Sequence, residues 1–246
     1  MRRDGISHLA ESAVTRFKTI DATWSFRCDS DLLAKAADRR SYSQAGISDR
    51  PLEPERGRSQ PAVACLSQTG HLWWHKPDRW RDESCIEGRA SAVRVIRGDR
   101  YSAFVPDMQM LFVKRMQTPT EQNNSHAETW SAHLAEFPIV DPAFFVHACE
   151  ITSVHQTSYL ASPAFDVTLQ TKPSHFAVAR PFFWAGVQDY AMTVDAERGV
   201  LLRLRAFVDG RTASDLKVTA ISFDQDLRDD LFTYTPPNGT RIIDES

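Results

Sequence analysis

The sequence holds eight histidines and four cysteines, the side chains best able to grip a metal or attack a substrate, and their spacing decides whether they can do either. His71 and His75 stand four apart, which brings two rings to one ligand only on a helix, and the surrounding GHLWWHKP reads as a strand. His147, Cys149 and Glu150 lie close together without the regular ligand spacing of a metal site. Ser214-Asp215-Leu216-Lys217 fits S-x-x-K, but the S-D-N and K-T-G companions of that chemistry are missing, and the stretch reads as the start of a strand. A nucleophile elbow, a P-loop and a dinucleotide-binding glycine fingerprint are also missing. Cys28, Cys65, Cys85 and Cys149 form no C-x-x-C pair and are expected as free, mostly buried thiols. The expectation is a protein that binds rather than catalyses, with no cofactor and no metal.

Net charge is −3, from 29 Lys and Arg against 32 Asp and Glu, with no basic block that would track a phosphate backbone, so nucleic acid is excluded as the expected partner. No apolar run approaches the roughly 18 residues that span a bilayer. The first twenty residues are charged throughout and lack the apolar stretch of a secretory leader. As written, the chain is expected in the cytosol.

The elements that must position any site follow from periodicity. Ile6, Leu9, Ala10, Ala13, Val14 and Phe17 fall on one stripe of an amphipathic helix, with Asp4 as its expected N-cap. Trp24, Phe26 and Cys28 alternate with Ser25 and Arg27 as in a half-buried strand, and a short helix is expected from about Asp31 to Ala37. Residues 43–61, with three prolines, two glycines and many charges, bury too little apolar surface to offset the entropy of ordering and read as a mobile loop within a single domain, 1–246.

Strand signals then dominate: AVACLS, a turn at QTGH, LWWH, a corner at KPD and RWRDES, followed by the hairpin ASAVRVIR-GDR-YSAFVP. PTEQNNSH reads as a loop, and Trp130 to Cys149 as short helices broken by Pro138 and Pro142. ITSVHQTSYL, AFDVTLQT, YAMTVD, VLLRLRAFVDG and LKVTAISFD return to strands, with outward Arg203 and Arg205 alternating with inward Leu202, Leu204 and Ala206. Successive strands with short turns pair antiparallel. The expected class is α+β: one curved antiparallel sheet with helices on its concave side.

Four stretches, in order along the chain, resemble the LolA-like superfamily of lipoprotein carriers, whose relatives include the regulator RseB and mycobacterial lipid-binding lipoproteins. They are GHLWWHKPDRWRDE, VIRGDRYSAFVP, YAMTVDAERGVLLRLRAFVDG and the C-terminal LFTYTPPNGTRI, which resembles the family's last strand. The resemblance implies an incomplete β-barrel closed by helices around an apolar cavity for acyl chains, in relatives that are periplasmic or held in the cell envelope. It also implies a cargo-handling role for the basic residue before the corner proline. Here that residue is Lys76, where the carriers have an arginine with its planar fork.

On this reading the cavity is lined by Trp74, Trp80, Tyr101 and Phe104 from the two hairpins and by Phe144, Phe145, Phe182 and Trp184 near the covering segments, with Lys76 and Arg79 at its mouth. The ligand is a lipid, an acyl chain or another hydrophobic small molecule. An RseB-like scaffold that docks a protein partner without a stable ligand is the alternative. The same aromatics serve equally well as an ordinary core, and whether Trp73 or Trp74 points inward depends on register.

Overall fold

The computed structural model describes residues 3–44, 66–116, 137–175 and 182–245. Its strands are β1 (Thr19–Cys28), β2 (Leu66–His75), β3 (Arg79–Ile86), β4 (Arg89–Arg97), β5 (Arg100–Val105), β6 (Met110–Arg115), β7 (Cys149–Tyr159), β8 (Ser162–Thr171), β9 (Asp189–Asp195), β10 (Leu201–Val208), β11 (Arg211–Phe223) and β12 (Arg241–Asp244). Among the described residues four α-helices accompany them: α1 (Arg3–Glu11), α2 (Ser30–Gln44), α3 (Phe137–Val140) and α4 (Ala143–Ala148).

All twelve strands join one curved, unclosed sheet in the order β12-β6-β5-β4-β3-β2-β1-β11-β10-β9-β8-β7. Two meanders, β2 to β6 and β7 to β11, are thus stitched together by β1, which pairs antiparallel with both β2 and β11. The burial of β1 follows its sequence alternation: Ile20, Ala22, Trp24, Phe26 and Cys28 are buried, the residues between them less so. Ile6, Leu9 and Ala10 of α1, Leu32 and Ala36 of α2, and Phe145 and Val146 of α4 join these side chains in one core, so the helices cover the sheet's inner face. In β10, Leu202, Leu204 and Ala206 are buried and Arg203 and Arg205 are not, as the alternation requires.

Several boundaries differ from the sequence expectation. The apolar stripe at the N-terminus is split: α1 stops at Glu11, the Ser12 hydroxyl donates back to the His8 carbonyl, and Ala13–Thr15 tighten into a 3-10 turn. Asp4 lies within the first turn of α1 and is not its N-cap. The second helix begins as expected but runs on to Gln44, so the first two residues of the expected loop 43–61 are helical and the rest lie outside the described residues. PTEQNNSH and Cys65 lie outside them too.

The turn expected at QTGH does not form; β2 passes straight through it. Gly70 serves packing there. A Cβ on it would sit 2.4 Å from Cζ2 of Trp24 and 2.7 Å from the Glu83 carbonyl oxygen, so the glycine lets the β1 indole lie flat against β2. At the C-terminus, Asp229–Phe232 form a 3-10 turn, and only Arg241–Asp244 is a strand, pairing parallel with β6. Pro236 and Pro237 have no N–H to give a ladder, which delays the strand until after them.

Cys28 and Cys149 are buried and Cys85 is half-buried. Burial pushes the Cys149 thiol up to about 11, only partly offset by the Thr171 hydroxyl 4.0 Å away and by Lys172. Cys149 is therefore expected to react with iodoacetamide at pH 8 more than about tenfold more slowly than Cys85, as read by digestion and mass spectrometry. Because the unfolded thiol ionises first, near 9.0, this group leaves stability unchanged below that pH and lowers it as pH climbs from there toward 11. Equal labelling of Cys149 and Cys85 would contradict this.

Candidate functional site

Register fixes which side chains share a face. Ile20 pairs with Trp74, Trp74 with Trp80, Trp80 with Ile96, Ile96 with Tyr101, and Tyr101 with Lys114, giving one row across β1 to β6 on the inner face. Trp74 is the inward tryptophan. Its ring meets Phe17 edge-on at 5.7 Å and lies 5.9 Å from Trp80, while Trp73 faces the other way, stacked on His71. His71 Nε2 in turn lies 2.5 Å from the Asp21 carboxylate. Among the described residues no group of three or more His, Cys, Asp or Glu is gathered to hold a metal.

The next row inward contains Leu72, Asp82, Arg94, Ala103 and Phe112. Asp82 is completely buried; its Oδ2 accepts the Trp80 indole N–H at 2.7 Å and its Oδ1 accepts Arg94 Nε at 2.7 Å. In RWRDES the charges look solvated, and only the match of Asp82 to Arg94 across β3 and β4 reveals the pair. Toward the β6 edge the two rows open out: Tyr101, Ala103, Phe112 and Lys114, together with Val113 and the carboxylate of Glu245, line a 280 Å³ pocket, with Lys114 Nζ 5.3 Å from the centre of the Tyr101 ring.

The eight aromatics expected around one cavity fall into separate packings. Trp74, Trp80 and Tyr101 share the row just described. Phe144 and Phe145 pack with Phe183 and Tyr190, with Phe183 and Tyr190 stacked at 5.2 Å. Burial drives the Tyr190 hydroxyl well above its ordinary range, and that hydroxyl accepts the Trp184 backbone N–H at 2.8 Å. Phe182 and Trp184 both lie on Phe26, at 5.2 and 6.4 Å.

Phe104 does not share the inner face. It pairs with Val93 and Leu111 and packs on Tyr234 at 5.4 Å in a separate small cluster on the opposite face. Tyr101 and Phe104 are three apart on one strand, and strand parity sends them to opposite sides, a signal already present in the sequence.

The two expected mouth residues also hold other elements in place. Lys76, whose peptide bond to Pro77 is cis, donates to the Val14 carbonyl at the 3-10 turn, and its ammonium lies 4.5 Å from the centre of the Phe17 ring. Burial lowers its pKa, opposed by the nearby charge of Asp224. With Phe17, His75 and Asp224 it lines a 620 Å³ cleft at the corner. Arg79 forms an ion pair with Asp229, and its guanidinium lies over Phe232, so it fastens the C-terminal segment across the sheet's outer face. Arg81 adds to that fastening by donating to the Leu231 carbonyl at 2.8 Å.

A third concavity, of 650 Å³, lies between the β7–β8 turn, the β9–β10 turn and the end of β11, where Tyr159, Leu160, Arg198, Leu202, Ile221 and Phe223 are among its walls. No sequence signal marked it, because its walls come from three turns and strand ends far apart in the chain.

No protein-family model and no curated protein matches the sequence. Among solved structures, the chain is similar to MucB of Pseudomonas aeruginosa, solved as a complex with MucA, at 11% identity and a TM-score of 0.51, covering 94% of this chain and 61% of that one. It is also similar to a LolA superfamily protein of Nitrosomonas europaea (12% identity, TM-score 0.29, 95% and 98% of the two chains). A third likeness is to LprF of Mycobacterium bovis (8% identity, TM-score 0.38, 96% and 98%). Likeness at such identities speaks to the fold alone: the chain shares the fold of MucB, a curved, unclosed and mostly antiparallel sheet. The cytosolic placement expected from the first twenty residues gains no support from these neighbours. Among the described residues no helix is long and apolar enough to cross a membrane.

Proposed function

We propose that the protein is a non-catalytic binding module whose ligand is a single acyl chain or a similarly slender apolar molecule, held on the inner face of the β3–β6 region. One observation carries this reading: the cross-strand row passes from fully buried Trp80 and Ile96 to half-exposed Tyr101, beside Phe112 and Lys114. An apolar tail would continue the row over Tyr101, Ala103 and Phe112, and the Lys114 ammonium would meet a carboxylate or phosphate head. The 280 Å³ of the pocket lies at the small end of ligand sites, which run from roughly 300 to 1,000 Å³, and this favours one chain over a two-chain lipid. The lining is aromatic and aliphatic with one ammonium, Lys114, and one carboxylate, Glu245, a surface suited to holding a ligand rather than to transforming it.

Titration with dansyl-undecanoic acid, followed by its fluorescence, tests the reading. Phe112→Glu, which sets a carboxylate among the half-exposed rings, is expected to weaken the probe by at least about tenfold while leaving the fold intact, since burying an unpaired charge beside an acyl chain costs over about 1.4 kcal/mol. If wild type shows no saturable binding, or if Phe112→Glu binds equally well, this pocket is not the site.

A further inference from the structure

β10 pairs with β11 only as far as Arg203 opposite Lys217, yet β11 continues to Phe223 alongside β1 alone. From Val218 onward β11 therefore has a strand neighbour on one side only. Asp224 N–H donates to the Thr19 carbonyl of β1 at 3.0 Å, so alternation turns Ser222 and Ala220 toward β1 and turns Ile221 and Phe223 away from it. On that open side the Val218 carbonyl accepts the Tyr159 hydroxyl at 2.9 Å, and the Phe223 carbonyl accepts the Gln225 side-chain amide at 3.3 Å. The N–H and carbonyl of Ile221 and the N–H of Phe223 have no protein partner there among the described residues.

This open edge borders the 650 Å³ cavity. Across from it stands the β7–β8 turn, whose two residues, Leu160 and Ala161, have φ of 49° and 64°. That left-handed pair suits Asn-Gly and costs about 1 kcal/mol or more per residue when the side chains are larger. The turn thus holds strain, and what it presents is Leu160, a large apolar side chain that is 45% exposed and lines the same cavity. Backbone strain of this kind clusters at functional sites, and here it borders the open edge. Of the two lining carboxylates, Asp195 is buried and its Oδ1 accepts the Glu197 and Arg198 backbone N–H groups, while Glu197 is exposed and meets Arg198 at 2.9 Å.

We propose that this notch binds an extended, basic segment of a partner protein, which adds as a short strand to the open edge of β11, places apolar side chains against Leu160, Leu202 and Ile221, and sets a basic one near Glu197. An acyl chain would fill the apolar walls but leave the Ile221 and Phe223 backbone groups unpaired, whereas a peptide strand pairs them. The site is distinct from the Tyr101–Phe112 pocket and stands independently of it.

The test uses a fluorescein-labelled heptapeptide of alternating valine and lysine, its fully N-methylated counterpart and an alternating valine–glutamate peptide, each measured by anisotropy on the full chain. Wild type is expected to bind the valine–lysine peptide at least about tenfold more tightly than either of the others. Ile221→Pro deletes the outward N–H and keeps the β1 ladder, because proline is tolerated where the N–H faces no strand partner; it is expected to lose at least about tenfold in affinity with little change in Tm. Leu160→Asn combined with Ala161→Gly relaxes the turn and removes the apolar side chain, so Tm should rise as peptide binding falls. Dansyl-undecanoic acid binding should be unchanged in both variants. Equal binding of the N-methylated peptide, or full binding by Ile221→Pro, overturns the proposal, and so does displacement of the labelled peptide by oleate with no sensitivity to N-methylation. Should Ile221→Pro fail to fold, the comparison of the three peptides on wild type decides alone.

Discussion

Asp82→Ala is expected to lower folding stability by about 3 to 5 kcal/mol, because it removes the completely buried carboxylate that accepts from both the Arg94 guanidinium and the Trp80 indole. At roughly 2 to 4 °C per kcal/mol for a chain of this size, Tm should fall by about 6 to 20 °C. Urea unfolding followed by tryptophan fluorescence measures it. Asp82→Leu combined with Arg94→Met should cost less than the two single changes added together, since the pair is removed as a unit. A single alanine change that moves the midpoint by less than about 1 kcal/mol would mean that water reaches Arg94 and that the pair is not sealed.

Gly70→Ala is the second change expected to be severe. The added methyl would meet the Trp24 indole at 2.4 Å and the Glu83 carbonyl at 2.7 Å, and the second of these is backbone within a paired strand. The indole can move only by opening the packing between β1 and β2, so a loss of about 3 kcal/mol is expected, at the top of the range for overpacked cores. The same substitution paired with Trp24→Leu, which vacates the space, should recover part of that loss. No recovery would locate the damage at the Glu83 carbonyl instead.

Much of the architecture is legible in the residues. Alternation in SFRC and LLRLRAF marks β1 and β10, the stripe from Ile6 to Phe17 marks the N-terminal cover, and Pro142, the N-cap of α4, separates α4 from α3, whose first turn holds Pro138. The illegible parts depend on contacts between distant segments. Gly70 looks like a turn because glycine commonly makes one, and only the indole arriving from β1 explains it as a packing residue. The parallel seating of β12 on β6 has no local signature, since a four-residue strand reads alike in either direction.

The candidate site was less legible than the fold. Aromatic residues were found, but their sharing of a cavity is a question of parity and register, and Phe104 fails on parity alone. Lys76 and Arg79 stand out in the sequence for their charge, yet each is occupied in pinning a segment: the N-terminal turn in one case and the C-terminal segment in the other. Asp82 and Arg94 carry no local mark, because a charge reads as solvated until a partner strand is known.

The place of β1 in the sheet also bears on how the chain is made. Its neighbour β11 lies far downstream, with Thr23 and Thr219, hydroxyl to hydroxyl at 2.9 Å, 196 positions apart. At ribosomal rates of about 5 to 20 residues per second, β1 waits roughly 10 to 40 s after emerging before that second edge can be covered. Each meander can zip by local hairpins meanwhile, but the two halves become one sheet only when the last long strand arrives, which makes docking of β11 the late step and an exposed β1 edge the point at which a chaperone would be needed.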